Sequence, residues 1–169
     1  MSKPALQVQP LGPHHDRPGF WCGVEQLDKY LKSQARQDVK KRVAAVFVLT
    51  PDGRTIGGYY TLSQFSEDLV VLPQETARRL PQYPTVPATL IGRLAVNNPF
   101  RGQGLGELLL MDALRRSLTL SKQIASAAVI VDAKDDRAMS FYRKYGFLEL
   151  SGIPGRLFVP MSTVEQLFQ

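Results

Sequence analysis

Six consecutive residues, Arg101-Gly102-Gln103-Gly104-Leu105-Gly106, have the composition of an anion cradle. They follow an apolar, strand-like run, Leu90 to Val96, and open a helix-like run that continues to about Leu118. Glycines at a strand-to-helix junction let the backbone approach a ligand closely. The first turn of a helix offers unpaired N–H groups and the positive end of a dipole, which suits phosphates. Arg101 adds a cation at the entrance. Walker A is excluded, because no Gly-Lys-Ser/Thr follows. The dinucleotide fingerprint G-x-G-x-x-G also fails: its third glycine would fall at 107, where Glu107 stands, and the motif lies past the middle of the chain.

A second constellation is Ala138, Phe141, Tyr142 and Tyr145, followed by Gly146-Phe147. Its i, i+3, i+4, i+7 spacing is, taken alone, that of an ordinary core stripe. Other chemistries have little support. His14 and His15 are adjacent, lack a Cys or carboxylate cluster, and are expected at the surface, so no metal is expected. Cys22, the one cysteine, sits beside Phe20 and Trp21 and reads as a small core residue. No G-x-S-x-G elbow exists. The basic pairs and triplets Lys40-Lys41-Arg42, Arg78-Arg79, Arg115-Arg116 and Arg143-Lys144 read individually as solvated surface. Arg93 differs: in a strand leading to the glycine turn, a charged group should line a cleft or pair with an acid.

The elements that must position these residues follow from periodicity and turn chemistry. Pro4 to Gly19 is expected to be an extended lead-in or a short strand. Val24, Leu27, Leu31 and Ala35 predict one amphipathic helix from about Val24 to Asp38. Strands are predicted at Ala44–Leu49 and Thr55–Leu62, flanking the turn Pro51-Asp52-Gly53-Arg54. A short strand at Asp68–Leu72 and a brief helix at Gln74–Leu80 precede a loop held extended by Pro81, Pro84 and Pro87. Then come a strand at Leu90–Val96, a helix at Gly104–Leu118, a strand at Ala127–Val131, a helix at Asp136–Tyr145 closed by Gly146, and a strand at Leu157–Met161. On the Gly104–Leu118 helix, Asp112 and Arg116 stand i,i+4 in the favourable order. The class is α/β or α+β with a mixed sheet.

With 169 residues, 44% of them hydrophobic, the chain is expected to be a single domain over 1–169. No apolar run approaches the ~20 residues of a membrane span, and Met1 to His14 has no apolar signal region. No membrane association and a cytoplasmic location are expected, in line with the lone cysteine. A formal charge of +6 leans toward an anionic partner.

The pattern Arg/Gln-x-x-Gly-x-Gly, met by Arg101, Gly104 and Gly106, resembles motif A of the GNAT acetyltransferases, which holds the pyrophosphate of acetyl-CoA. The resemblance implies the GNAT fold: a central, mixed, mostly antiparallel twisted sheet flanked by helices. It implies acetyl-CoA bound through Leu94, Ala95, Val96 and the run Arg101, Gly102, Gln103, Gly104, Leu105, Gly106. It also implies contacts from Asp135 and Phe141. The stripe carrying Tyr142 resembles the GNAT helix whose tyrosine faces the thioester sulfur. Tyrosine suits that role, because with an ordinary pKa of about 10 it is protonated at neutral pH and can protonate a departing thiolate.

The resemblance extends to a subgroup, the GNAT-type toxins of bacterial toxin–antitoxin pairs. The shared strings are Phe20-x-Cys22-Gly23; Leu27-Asp28-x-Tyr30-Leu31-Lys32 with Gln37-Asp38; Gly58-Tyr59-Tyr60-Thr61-Leu62-Ser63; Gly92-Arg93-Leu94-Ala95-Val96; Asp132-Ala133-Lys134-Asp135; and Leu157-Phe158-x-Pro160-Met161. Asp135, where most GNAT enzymes carry Asn, is usual in this subgroup. This resemblance implies acetylation of the α-amine of aminoacyl-tRNA, arrest of translation, a homodimer, and a ribbon-helix-helix antitoxin. Arg93, Arg78 and Arg79 are the candidates for positioning tRNA. Two alternatives stay open: a GNAT enzyme acting on a small amine or protein N-terminus, and a non-catalytic basic RNA-binding module. The second lacks the interleaved aromatic and basic residues of RNA-recognition strands.

Overall fold

The computed structural model describes residues 5–169. Their strands are β1 (Gln7–Pro10), β2 (Ala45–Thr50), β3 (Gly58–Asp68), β4 (Thr85–Val96), β5 (Ala128–Asp132), β6 (Leu148–Glu149) and β7 (Arg156–Pro160). The helices are α1 (Glu25–Ser33), α2 (Ala35–Lys40), α3 (Gln74–Arg78), α4 (Leu105–Ser121), α5 (Asp136–Arg143) and α6 (Met161–Leu167). The strands are hydrogen-bonded in the order β1-β2-β3-β4-β5-β7-β6. β1/β2, β2/β3, β5/β7 and β6/β7 pair antiparallel, and β4/β5 pairs parallel. This is the expected mixed, mostly antiparallel sheet with helices. Among the described residues no helix is long and apolar enough to cross a membrane.

The chain divides into two compact units. Among the described residues, the first takes 5–63 together with 92–113; the second takes 64–91 and 114–169. The core of the first gathers Phe20, Cys22, Tyr30, Leu31, Val46, Val48, Ile56, Tyr59 and Ala95, each nearly or fully buried. Val46 and Val48 alternate along β2, so both point to the same face. Burying each such side chain contributes about 1.5–3 kcal/mol. In the second unit Val86, Ala88, Ala128, Ile130, Leu150 and Phe158 form a separate core.

Several boundaries differ from expectation for local reasons. The predicted helix Val24–Asp38 is two helices, broken at Gln34 (φ −120°). In a continuous helix the Lys32 carbonyl would take the Arg36 N–H; here it accepts the Arg17 guanidinium at 3.0 Å. The two strands predicted at Thr55–Leu62 and Asp68–Leu72 are the single strand β3 followed by a 3₁₀ turn, Leu69–Val71. β4 begins at Thr85, inside the expected proline loop. Pro87 is tolerated there at an exposed position, and its carbonyl accepts the Ala127 N–H at 2.8 Å. α5 ends at Arg143, and Gly146 (φ +94°) turns the chain out. α6 has no counterpart among the predicted elements. His15, expected at the surface, is 4% exposed. Its Nδ1 accepts the Gly12 N–H at 2.9 Å and its Nε2 lies 3.0 Å from Gln9 Oε1, so the imidazole satisfies the chain turn after β1.

Candidate active site

The glycine turn in the first unit is supported from below by Asn97, a buried polar residue at the end of β4. Its Nδ2 donates to the Ile56 carbonyl at 2.9 Å, and its Oδ1 accepts the Trp21 N–H at 3.1 Å. Its backbone N–H donates to the Gly57 carbonyl at 2.8 Å. A 3₁₀ turn, Asn98–Phe100, then delivers the chain to Arg101. Gly102 and Gly104 follow at φ +78° and +75°, a region L-residues with a Cβ rarely adopt. A Cβ built on either meets nothing within 4 Å, so this face of the turn is open. α4 starts at Leu105, and the N–H groups of Leu105, Gly106 and Glu107 have no partner within the helix. The turn thus presents backbone N–H groups beside an open face.

What anchors the cradle is the packing of α4. Leu105 and Leu109 are buried, at 2% and 0% exposure. Gly58 on β3 permits that approach, since a Cβ there would stand 2.7 Å from Leu109 Cδ1 and 2.9 Å from the Ala95 carbonyl. Asp112 Oδ2 accepts the Tyr60 hydroxyl at 2.5 Å, a second tie between β3 and α4. Arg101 is exposed, and its guanidinium donates to the Cys22 carbonyl. Its charge is therefore held on the Trp21–Gly23 loop at the side of the turn. Leu94 and Val96 are half-buried and Ala95 buried, all on the last residues of β4. Gln103 is exposed.

Arg93 lies two residues further back from Ala95 on β4, half-buried, with its guanidinium carbon 3.5 Å from the Tyr30 ring centroid. Tyr30 donates its hydroxyl to Asp38 Oδ2 at 2.8 Å, and Gln34 Nε2 donates to Oδ1 at 2.9 Å. The Gln34 hydrogen bond leads in holding the Asp38 carboxyl below its ordinary range, with the Arg93 charge contributing. Burial, then the Asp38 hydrogen bond, pushes the Tyr30 phenol up to about 12. Arg93 is thus stacked on an aromatic ring, with its charge felt by the Asp38 carboxyl. Tyr30, Asp38, Asn97 and Trp21 are site neighbours that the sequence reading does not mark as site residues. For Asn97 a signal exists, as a polar residue between a buried strand and a glycine turn.

In the second unit Tyr142 is 8% exposed, its ring flanked by Phe141 at 5.2 Å and Phe147 at 5.3 Å between centroids. Burial pushes its phenol up to about 12. Phe141 is half-buried and also packs on Tyr145. Asp135 is the N-cap of α5, its Oδ1 accepting the Ala138 N–H at 2.8 Å. Capping accounts for this side chain without a ligand. Arg78 makes an exposed ion pair with Glu75 at 3.6 Å. Arg79 is the C-cap of α3 and lines a cavity of about 520 Å³ together with Glu67, Ala88, Ala128 and Phe158. Arg78 and Arg79 belong to the second unit, Arg93 to the first. Glu67 is buried and accepts Arg156 Nη1 at 3.2 Å, while Arg156 forks onto Asp132 at 2.7 and 3.1 Å.

The chain resembles known proteins over nearly its whole length. Residues 42–149 match the model of the acetyltransferase (GNAT) domain. A curated relative from Sinorhizobium fredii, "Probable toxin TacT", is 34% identical over 95% of this chain and 93% of its own. A "tRNA-acetylating toxin" of Mycobacterium tuberculosis is 34% identical over 78% of each chain. The solved structure of AtaT complexed with acetyl-methionyl-tRNAfMet superposes with a TM-score of 0.91 at 27% identity, covering 98% of this chain and all of that one. AtaTR bound with acetyl-CoA (TM-score 0.85, 27% identity, 97% and 98% covered) shares the fold. So does an AtaT variant bound to the C-terminus of the antitoxin AtaR (0.83, 25%, 98% of each chain). With the acetyltransferase (GNAT) domain model matching residues 42–149 and a relative 34% identical over 95% of its length, the chain belongs to the GNAT acetyltransferases and is an N-acetyltransferase.

Proposed function

We propose that this enzyme transfers the acetyl group of acetyl-CoA to the α-amine of the amino acid on charged tRNA, and so acts as a toxin that blocks translation. The single observation that carries the donor is the open turn Gly102–Gly104 at the N-terminus of α4, whose free N–H groups suit a pyrophosphate. The acceptor rests on the tRNA named in the relatives' descriptions, and on the half-buried Arg93 held against Tyr30 in a chain of charge +6.

Bound acetyl-CoA supplies a thioester activated toward amines. Backbone N–H groups of Leu94 to Val96 and of the Arg101–Gly106 run are assigned to orient and polarise it, fixed donors that need no reorganisation during transfer. The amine nitrogen bonds to the acetyl carbon, the carbon–sulfur bond breaks, and Tyr142 gives its proton to the departing sulfur. The amine's surplus proton passes to water, and Tyr142 is reprotonated from solvent. Tyr142 is supported as the acid by its buried, protonated phenol. A strong base is unnecessary. An α-amine titrates near about 7.7–8.0, and the adjacent ester lowers that, so much of it is neutral at pH 7.

A small cationic acceptor is disfavoured by Glu67, whose carboxylate is already taken by Arg156. A homodimer and inhibition by a ribbon-helix-helix antitoxin complete the reading. Both are supported by the toxin resemblance, and the antitoxin further by the AtaT–AtaR complex. A cell-free translation reaction tests it. Wild type with acetyl-CoA is expected to stop synthesis and Tyr142→Phe to permit it; undiminished synthesis with wild type contradicts the toxin role.

A further inference from the structure

Trp21 is the chain's one tryptophan, and it is 56% exposed. Its neighbours Phe20 and Cys22 are core residues, at 0% and 3%. The exposure is not that of a loose loop. The Trp21 N–H donates to Asn97 Oδ1 at 3.1 Å, and its carbonyl accepts the Asn98 N–H at 2.8 Å. Both backbone polar groups are thus bolted to the turn that runs into the glycine cradle. One residue on, the Cys22 carbonyl accepts the guanidinium of Arg101, the first residue of that cradle. The Cys22 N–H is also taken, by buried Asp28 at 2.7 Å. Gly23 (φ +89°) then turns the chain away, with its built Cβ position 3.4 Å from Arg101 Nη2. Backbone hydrogen bonds and buried neighbours therefore hold a large apolar indole out in water beside a phosphate-binding turn.

A flat aromatic face at such a place selects a flat partner. Base stacking on an aromatic side chain is worth about 1–3 kcal/mol per base and tolerates any π-face. Both ligands of this enzyme end in the same group: the CoA moiety carries an adenosine beyond its pyrophosphate, and tRNA ends in an unpaired adenosine. We propose that Trp21 is a stacking platform for an adenine base presented beside the Arg101–Gly106 turn. If the source is CoA, the platform is a cofactor-specificity element. If it is the RNA 3′ end, it is an acceptor-positioning element, and this second source rests on the tRNA reading given above.

The sole tryptophan makes the test direct. Fluorescence of the full chain, excited beyond the tyrosine band, is followed during titration with CoA, with 4′-phosphopantetheine, which lacks the adenosine, and with an oligoribonucleotide ending in CCA. Binding of each is measured independently by calorimetry. Saturable quenching by CoA or by the oligonucleotide, with none by phosphopantetheine, is expected, and the quenching ligand identifies the source. Trp21→Ala should then weaken that ligand roughly five- to tenfold, about 1–1.4 kcal/mol, leaving phosphopantetheine unchanged. Trp21→Phe should recover most of the loss, which a folding defect would not. Calorimetric binding of CoA and oligonucleotide without quenching overturns the platform while leaving the acetyltransferase reading intact. So does equal quenching by phosphopantetheine, or an unchanged affinity in Trp21→Ala. Absence of any binding overturns both.

Discussion

Arg93 lies with its guanidinium carbon 3.5 Å from the centroid of the Tyr30 ring, and Tyr30 in turn donates its hydroxyl to Asp38. The stack restricts a long flexible cation to one orientation before any ligand arrives. A planar guanidinium on an aromatic face still has its N–H edge free to meet a phosphate or carbonyl, which an ammonium cannot imitate. Arg93→Ala is therefore expected to raise KM for aminoacyl-tRNA while leaving acetyl-CoA affinity unchanged. The lost stacking should cost about 0.5–1 kcal/mol of stability. Arg93→Lys should recover little of the KM. Steady-state kinetics with each substrate varied, and a thermal melt, check all three.

Tyr142→Phe removes one oxygen from a ring held by Phe141 and Phe147. Acetyl-CoA affinity should stay the same, and the transfer step should slow about 10²–10⁴-fold, the usual worth of a positioned acid. Single-turnover kinetics beside a direct binding measurement separate the two effects.

The proposed acid role of the same phenol predicts a pH profile. Burial holds Tyr142 at about 12, so it stays protonated through the alkaline range in which an ordinary tyrosine would begin to ionise. The transfer rate should rise as the acceptor amine loses its proton and then stay level to about pH 10, because the acid is lost only above that. A falling limb centred near about pH 8 or 9 would remove Tyr142 from the acid role.

Two glycines should fail in different ways. Gly104→Ala meets open space but a positive φ, costing about 1–2 kcal/mol and disturbing the cradle. Its signature is weakened acetyl-CoA binding. Gly58→Ala places a methyl against Leu109 and the Ala95 carbonyl, so its signature is loss of stability by about 1–3 kcal/mol. Thermal melts and calorimetry on both variants distinguish a ligand-facing glycine from a packing one.

His15 gives a second pH dependence, of opposite sign to the tyrosine's. Burial leads in lowering its pKa, with the neighbouring His14 adding to it. The unfolded chain therefore takes up a proton first as pH falls. The stabilisation is complete above the ordinary value of 6.5 and is lost as pH drops from there through the folded value. Protonated Nδ1 can no longer accept the Gly12 N–H. Exchange of the Gly12 amide should quicken as pH falls below 6.5 through the lower folded value, relative to the intrinsic rate, and His15→Gln should flatten that change.

Much of this was legible in the sequence because the chemistry and the local backbone demand coincide. Gly102 and Gly104 are needed by the left-handed backbone and would also admit the proposed phosphate, so they stand out in any reading. Gly146 ends its helix at +94° for the same local reason. The helix break at Gln34 was invisible locally: the Arg17 guanidinium that takes the Lys32 carbonyl there lies 15 residues away in the chain. β4 outran its predicted start at Leu90: its first residues include Pro87, whose carbonyl accepts the Ala127 N–H from outside the local sequence. Asp135 illustrates a double reading: the resemblance assigns it to the cofactor, whereas the fold uses its carboxylate to cap α5. Trp21 escapes a sequence reading because its placement depends on a hydrogen bond across 76 residues, to Asn97.

The central claim is met most directly by mass spectrometry of a bulk aminoacyl-tRNA pool incubated with the enzyme and acetyl-CoA. The expected result is an N-acetylated amino acid on at least one tRNA species, absent without acetyl-CoA and strongly reduced with Tyr142→Phe. An unmodified pool, from an enzyme that binds acetyl-CoA and acetylates a free amine or a protein N-terminus under the same conditions, would contradict it.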